Sequence, residues 1–177
     1  VAVVSGRAAD AAVGALYEEF QRRQAGDSGD QPPLFLVVSG LQRFRTLRKS
    51  DGDFDFGGEE EGPAVKPDKQ FTSLLKDGPG VGIFTIVRVD TSTNLERAMD
   101  RRMLKEFDYR VLFQMSANDS SNLIDSTAAG GLGQHRGLLY SEETGQVEKF
   151  RPYAVPEQEW LDRMIGNRPA PQGQPTA

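Results

Sequence analysis

The chain has 177 residues, 37% of them hydrophobic and 27% charged, with a formal net charge of -5. That size suits one domain, the composition excludes a wholly disordered chain, and the net charge provides no global basic field for nucleic acid. The absence of cysteine and the presence of a single histidine, His135, exclude a disulfide scaffold, a thiol nucleophile, a thiolate metal site and a multi-histidine zinc site within the chain.

Val1 to Val4 is short, apolar and β-branched, and reads as a strand closed by Ser5-Gly6. A chain that opens on valine in a strand reads as a piece of a longer protein. No signal peptide opens it, and no apolar run approaches the ~20 residues of a membrane span. From Arg7 to Gln24, Ala8, Ala11, Ala12, Ala15, Leu16, Tyr17 and Phe20 recur at helical spacing, with Arg22 and Arg23 among the polar residues opposite. After a Gly/Pro-rich loop, Leu34 to Val38 is a continuous apolar run, which predicts a strand buried on both faces. Leu41, Phe44 and Leu47 then mark a short basic amphipathic helix.

Residues 51 to 62 hold six acids and no base, and with Pro63 and on to residue 66 they read as a surface insertion. Phe71, Leu74 and Leu75 predict a helix ended by Asp77-Gly-Pro-Gly80. Val81 to Val89 is a second strand. A helix capped by Ser92 or Thr93 is expected to run to about Phe107, burying Leu95, Ala98, Met99, Met103 and Leu104. Tyr109 to Met115 is a third strand, and Leu123-Ile124 a short helical turn. Two strands, at about 136–140 and 147–153, flank the turn 141–145. Pro156 to Ile165 carries Trp160, Leu161 and Met164 as a last helix, and 167–177 has nothing to bury and reads as a disordered tail.

This alternation predicts an α/β fold: a three-layer, mainly parallel sheet with a C-terminal β-hairpin, in a single domain over 1–166. In such sheets ligands sit beyond the carboxyl ends of the strands. The segments in question are therefore Ser39-Gly40, Asp90-Thr91 and Ser116 to Ser121.

Taken in order, LFLVVSGLQRF, GVGIFTIVRVDTST, FDYRVLFQMSANDSSNLID, GGLGQHRGLLY and KFRPYAVPEQEW resemble the second half of a motor ATPase domain of the FtsK/SpoIIIE family, including its EccC-like branch. The resemblance covers about Leu34 to Trp160. It implies a P-loop NTPase sheet, incomplete here on its N-terminal side, with the first segment at the Walker B strand and Ser116, Asp119, Ser120, Leu123, Ile124 and Asp125 matching a family segment. It further implies ATP and Mg²⁺ as ligands of the intact domain, assembly into a homo-oligomeric ring, and DNA or a secreted protein as the translocated polymer. The remainder of the parent protein would be a partner, in the cytoplasm, with any membrane anchor supplied by another segment.

Two departures limit that implication. No G-x-x-x-x-G-K-[ST] occurs, so the chain has no loop to surround phosphates with N–H groups and no lysine placed to meet their charge. Where the Walker B strand would end in an aspartate holding Mg²⁺, Ser39 and Gly40 stand instead. The chain alone is therefore expected to hold no catalytic residue, metal or bound cofactor, and to hydrolyse nothing.

Candidate nucleotide contacts are Ser39, Gly40, Asp90 and Thr91. Against them stand plainer readings: Ser39 as the cap of the Leu41 helix, and Asp90-Thr91 as a turn that starts the next helix. Ser116, Asn118 and Asp119 read as caps or as an interface. The cluster Arg43, Arg45, Arg48 and Lys49 is neutralised by the adjacent acidic run, His135 is an exposed loop residue, and Glu142-Glu143 is a solvated turn. A degenerate, ATP-binding motor module is the leading reading. A non-catalytic scaffold that retains the ATPase platform is the alternative, and an unrelated Rossmann-like enzyme ranks last for want of a glycine fingerprint.

Overall fold

A computed structural model describes residues 3–6, 8–26, 31–49 and 65–166. The acidic stretch up to residue 64 and the tail 167–177 lie outside the described residues. Val3 and Val4, expected as the end of a strand over 1–4, are coil, with Val3 almost wholly exposed. The rest divides into two compact units, the first formed by Val1–Arg110 with Tyr140–Gln146 and the second by Val111–Leu139 with Val147–Ala177.

In the first unit, α1 (Ala8–Gln24) buries Ala9, Val13, Phe20 and Arg23. Of the expected stripe, Phe20 is buried and Leu16 and Tyr17 pack against the core, whereas Ala8, Ala11 and Ala15 are exposed. Alanines occur all around this helix, so the larger Val13 and Phe20 decide which stripe faces the core, because they bury more apolar surface. Strand β1 (Leu34–Ser39) lies parallel to β2 (Ile83–Arg88), in the register Leu34↔Ile83 through Ser39↔Arg88. Between them comes α2 (Pro67–Asp77), with proline in its first turn, where a missing N–H costs nothing.

The expected basic helix after β1 is two 3-10 turns, Leu41–Arg43 and Arg45–Leu47, broken at Phe44. Leu41 and Leu47 are buried all the same. The long helix after β2 is likewise two: α3 (Ser92–Ala98) and α4 (Arg101–Lys105). Asp100 divides them because its carboxylate accepts from the backbone N–H groups of Arg102 and Met103, at 2.8 and 2.9 Å, and so caps a new helix. The core joins Val13 and Phe20 of α1 with Phe71, Leu74 and Leu75 of α2, Val38 and Ile83 of the strands, and Ala98, Met99 and Met103 beyond them.

This core covers one face of the β1–β2 pair. Phe35 and Val37 on β1 are 60% and 65% exposed, and Phe84 and Ile86 on β2 are 39% and 53% exposed. The apolar run at Leu34–Val38 is thus half-buried, not buried on both faces as its composition predicts.

Strand β3 (Tyr109–Leu112) is shorter than expected and pairs in a separate three-stranded sheet of order β3-β4-β5, with β4 at Gly137–Ser141 and β5 at Val147–Phe150. The expected C-terminal hairpin is present, since a connection as short as 142–146 joins neighbouring strands only when they are antiparallel. In the second unit, α5 (Ala117–Ile124) is a full two turns, ended by Asp125 in the left-handed region at φ 52°. Ser120 is fully buried there; its hydroxyl donates to the Ser126 carbonyl and accepts from the Ala129 N–H at 3.1 Å. Helix α6 (Gln158–Gly166) follows as expected and buries none of its residues. No described helix is long and apolar enough to cross a membrane.

Candidate functional site

The carboxyl ends of β1 and β2 lie side by side because the two strands run parallel and in register. Ser39 pairs with Arg88, and the Gly40 N–H continues the ladder by donating to the Arg88 carbonyl at 2.8 Å. Gly40 is buried and adopts φ 79°, a left-handed conformation that lets the chain leave the strand sharply. Ser39, Gly40, Arg88, Asp90 and Thr91 therefore lie at the same end of the strand pair; Arg88 is an addition to the expected residues.

The plain capping role expected of Ser39 is not what it does. Gly40 occupies the cap of the first 3-10 turn with no side-chain bond, and the Ser39 hydroxyl accepts a long 3.5 Å contact from Arg88 Nη1. The turn expected at Asp90-Thr91 is present. Thr91 Oγ1 accepts the Asn94 N–H at 3.2 Å and caps α3, which corrects the expectation of Ser92 or Thr93 by one residue. The Asp90 carboxylate accepts from the Asn94 side-chain amide at 2.9 Å, and that bond holds its pKa below the ordinary carboxylate value. Asp90 is thus an anion with one partner already in place, on an exposed shoulder of the site.

Arg88 was legible as the only charge inside the run Val81 to Val89, though the expectation gave it no role; Asn94 carried no such signal. With Arg88 in it, the local chemistry changes. A guanidinium beside the hydroxyl at the end of β1 opposes a divalent cation there, and Ser39 brings no charge to offset one. Among the described residues no three His, Cys, Asp or Glu side chains gather in a group fit for a metal ion. The end of β1 thus offers Mg²⁺ no carboxylate of its own. A guanidinium at the mouth of two strand ends does suit an anion such as phosphate.

Ser116, Asn118 and Asp119 belong to the second unit. Ser116 Oγ accepts the Asp119 N–H at 3.1 Å and donates to the Asp119 carboxylate at 2.6 Å, so these two form the expected cap of α5, while Asn118 is exposed on its first turn. His135 is exposed in a loop at φ 55°, as expected. Glu142 is not merely solvated: it pairs with Arg110 at 2.7 Å, and the Arg110 guanidinium lies 5.4 Å from the Tyr140 ring centre.

No family model and no curated protein sequence matches the chain. Solved structures do. The genome packaging NTPase B204 from Sulfolobus turreted icosahedral virus 2, in complex with AMP, is 16% identical with a TM-score of 0.50, over 78% of this chain and 62% of that one. The same NTPase with AMPPCP gives 15% and 0.48 over 77% and 65%, and with ATP-gammaS 15% and 0.47 over 68% and 52%. This chain therefore spans less than two thirds of the chains it resembles. At this identity the likeness concerns the fold alone. The fold is mixed α/β with a parallel strand pair, of the P-loop NTPase type.

Proposed function

We propose that this chain is the C-terminal part of an ATP-binding motor domain of the FtsK/SpoIIIE type, altered at Walker B and not hydrolytic by itself. The observation that carries the reading is the parallel β1–β2 pair ending together in Ser39-Gly40 and Asp90-Thr91, in a fold of P-loop NTPase type. A P-loop elsewhere in a longer polypeptide would hold the nucleotide, and residues 1–166 would belong to that one domain. At the strand ends Arg88 would meet phosphate oxygens, while Asp90 and Thr91 would line the neighbouring loop. The parent would work in the cytoplasm as an oligomer of such modules, moving DNA or, as in the secretion branch, protein.

Catalysis is the weak link by physical argument. Phosphoryl transfer depends on positioned charge around the metal and the attacking water, and Ser39 offers neither a carboxylate nor room free of a guanidinium. The same observation favours a second reading, in which the module keeps the ATPase platform as a non-catalytic scaffold. Phosphate release from ATP, measured for this chain and for the longer protein, separates the two when paired with calorimetric ATP binding. The first reading expects binding by the longer protein and no phosphate release from this chain. Turnover by this chain alone would overturn it, and absence of binding by both would leave the scaffold.

A further inference from the structure

The end of β1 lacks an acid, and it also collects positive charge. Arg88 closes β2, and its Nη1 makes the long 3.5 Å contact to the Ser39 hydroxyl. Arg43, in the first 3-10 turn, folds back over the next residue, Gly40. A β-carbon on Gly40 would lie 3.5 Å from Arg43 Cδ and 3.6 Å from its Nε, with Gln42 Nε2 3.7 Å from the same point. Two guanidinium side chains, brought from separate segments of the chain, therefore attend consecutive residues of one strand end.

Neither arginine is spent on packing or on a carboxylate. Both residues are exposed, and among the described residues neither is in an ion pair; the pairs there join Arg22 and Arg23 to Glu19 and Arg110 to Glu142. Asp90, just beyond the end of β2, accepts from the Asn94 amide instead. A magnesium ion and the aspartate that holds it leave one net positive charge beside the phosphates of a nucleotide. Arg43, Arg88 and Asp90 leave the same net charge with no ion at all. A guanidinium stays protonated across the whole working pH range, and its planar fork meets phosphate oxygens in pairs. A divalent ion added to this place would meet two like charges.

We infer that Arg43 and Arg88 take over the charge-neutralising task of Mg²⁺, so that the end of β1 binds a polyphosphate in its metal-free form. This rests on the reading above that the strand ends face a nucleotide. It adds Arg43 to the residues there and takes the metal away.

The probe is inorganic tripolyphosphate, added to this chain at low ionic strength, first with EDTA and then with excess Mg²⁺. Amide and arginine Nε–H resonances followed by NMR register binding too weak for calorimetry and locate it. Saturable shifts at Gly40, Arg43 and Arg88 are expected in EDTA, with an affinity that Mg²⁺ does not improve. Arg43→Gln and Arg88→Gln should each weaken binding at least about fivefold, the effect of losing one charge-assisted contact in water. Arg45→Gln, at an exposed arginine of the following turn, should stay within about twofold of wild type, and circular dichroism checks that every variant keeps the fold. Binding that requires Mg²⁺, or tightens about fivefold or more with it, would overturn the inference. So would the absence of shifts at these residues, or a loss in Arg45→Gln equal to that of the other two, which would mean diffuse attraction to a basic segment. Tripolyphosphate held by this chain in EDTA, together with a longer protein that binds no ATP, would retain the two-arginine site and remove the motor reading.

Discussion

Arg23 and Glu19 sit one helical turn apart on α1, and the Arg23 Nε donates to the Glu19 carboxylate at 2.7 Å. The rest of the guanidinium is buried, with the side chain 2% exposed. Its Nη1 donates to the Val81 carbonyl at 3.0 Å and its Nη2 to the Pro32 carbonyl at 3.1 Å. One arginine thus fastens the end of α1 to the segments that lead into β1 and β2. It fixes where both strands begin, and hence where Ser39 and Arg88 end. Its planar fork reaches three separated acceptors from three nitrogens, whereas an ammonium presents all its donors from a single atom.

Arg23→Met is therefore expected to lower stability by about 1–3 kcal/mol, because it leaves two part-buried carbonyls without this donor and Glu19 with only Arg22. Arg23→Lys should recover part of that loss. Urea unfolding followed by circular dichroism checks both; a loss under about 0.5 kcal/mol for Arg23→Met, the level of an ordinary surface change, would contradict the anchoring role.

The Glu19 carboxyl is held down to about 2, from an ordinary 4.5, chiefly by hydrogen bonds from Arg22 and then Arg23. A carboxyl with a lowered folded-state pKa adds stability that is present above the unfolded value and disappears as pH falls through the folded one. The wild-type chain should thus lose stability progressively between pH 4.5 and 2. In Glu19→Gln that component of the loss should vanish, the two proteins converging at the acid end. Parallel unfolding curves across this range, with an undiminished gap at low pH, would count against the pairing.

Gly78 is buried between α2 and β2, and a β-carbon there would meet the Ile83 carbonyl oxygen at 2.7 Å. The obstacle is backbone, so it cannot swing aside. Gly78→Ala is expected to cost about 1–3 kcal/mol. Gly80→Ala, where nothing lies nearby, should stay close to wild type. Thermal unfolding of the pair provides the check, and equal behaviour of the two would contradict the contact.

In the second unit, Ser120→Ala removes a buried hydroxyl that bonds both the Ser126 carbonyl and the Ala129 N–H. A loss of about 1–3 kcal/mol is expected, as for other buried groups left without a partner. Hydrogen exchange at the Ala129 amide should accelerate in the variant; unchanged exchange there would show that the hydroxyl does not hold the turn.

Most of the order of strands and helices was legible in the sequence, because runs such as Leu34–Val38 and Val81–Val89 are apolar and bounded by Pro33 and Ser39 and by Gly80 and Asp90. That order placed Ser39-Gly40 and Asp90-Thr91 at strand ends, while the adjacency of the two strands emerges only in the structure. What the sequence left hidden depended on partners distant in the chain. Arg23 looks like one more polar residue of a helix until the carbonyls of Pro32 and Val81 are brought to it. Asp100 looks like a helical acid until its carboxylate turns back to cap Arg102 and Met103. The half-exposure of Phe35 and Val37 was illegible for another reason: composition records that a face is apolar, not whether anything lies upon it.

Isothermal titration calorimetry with ATP and Mg²⁺ tests the central claim most directly, run on the longer protein carrying this chain, on its Arg88→Glu variant and on this chain alone. A binding heat from the longer protein that falls at least tenfold in affinity with Arg88→Glu is the expected result, with little or none from the chain alone. The absence of any heat from the longer protein would contradict the nucleotide reading and leave a scaffold built on an ATPase fold.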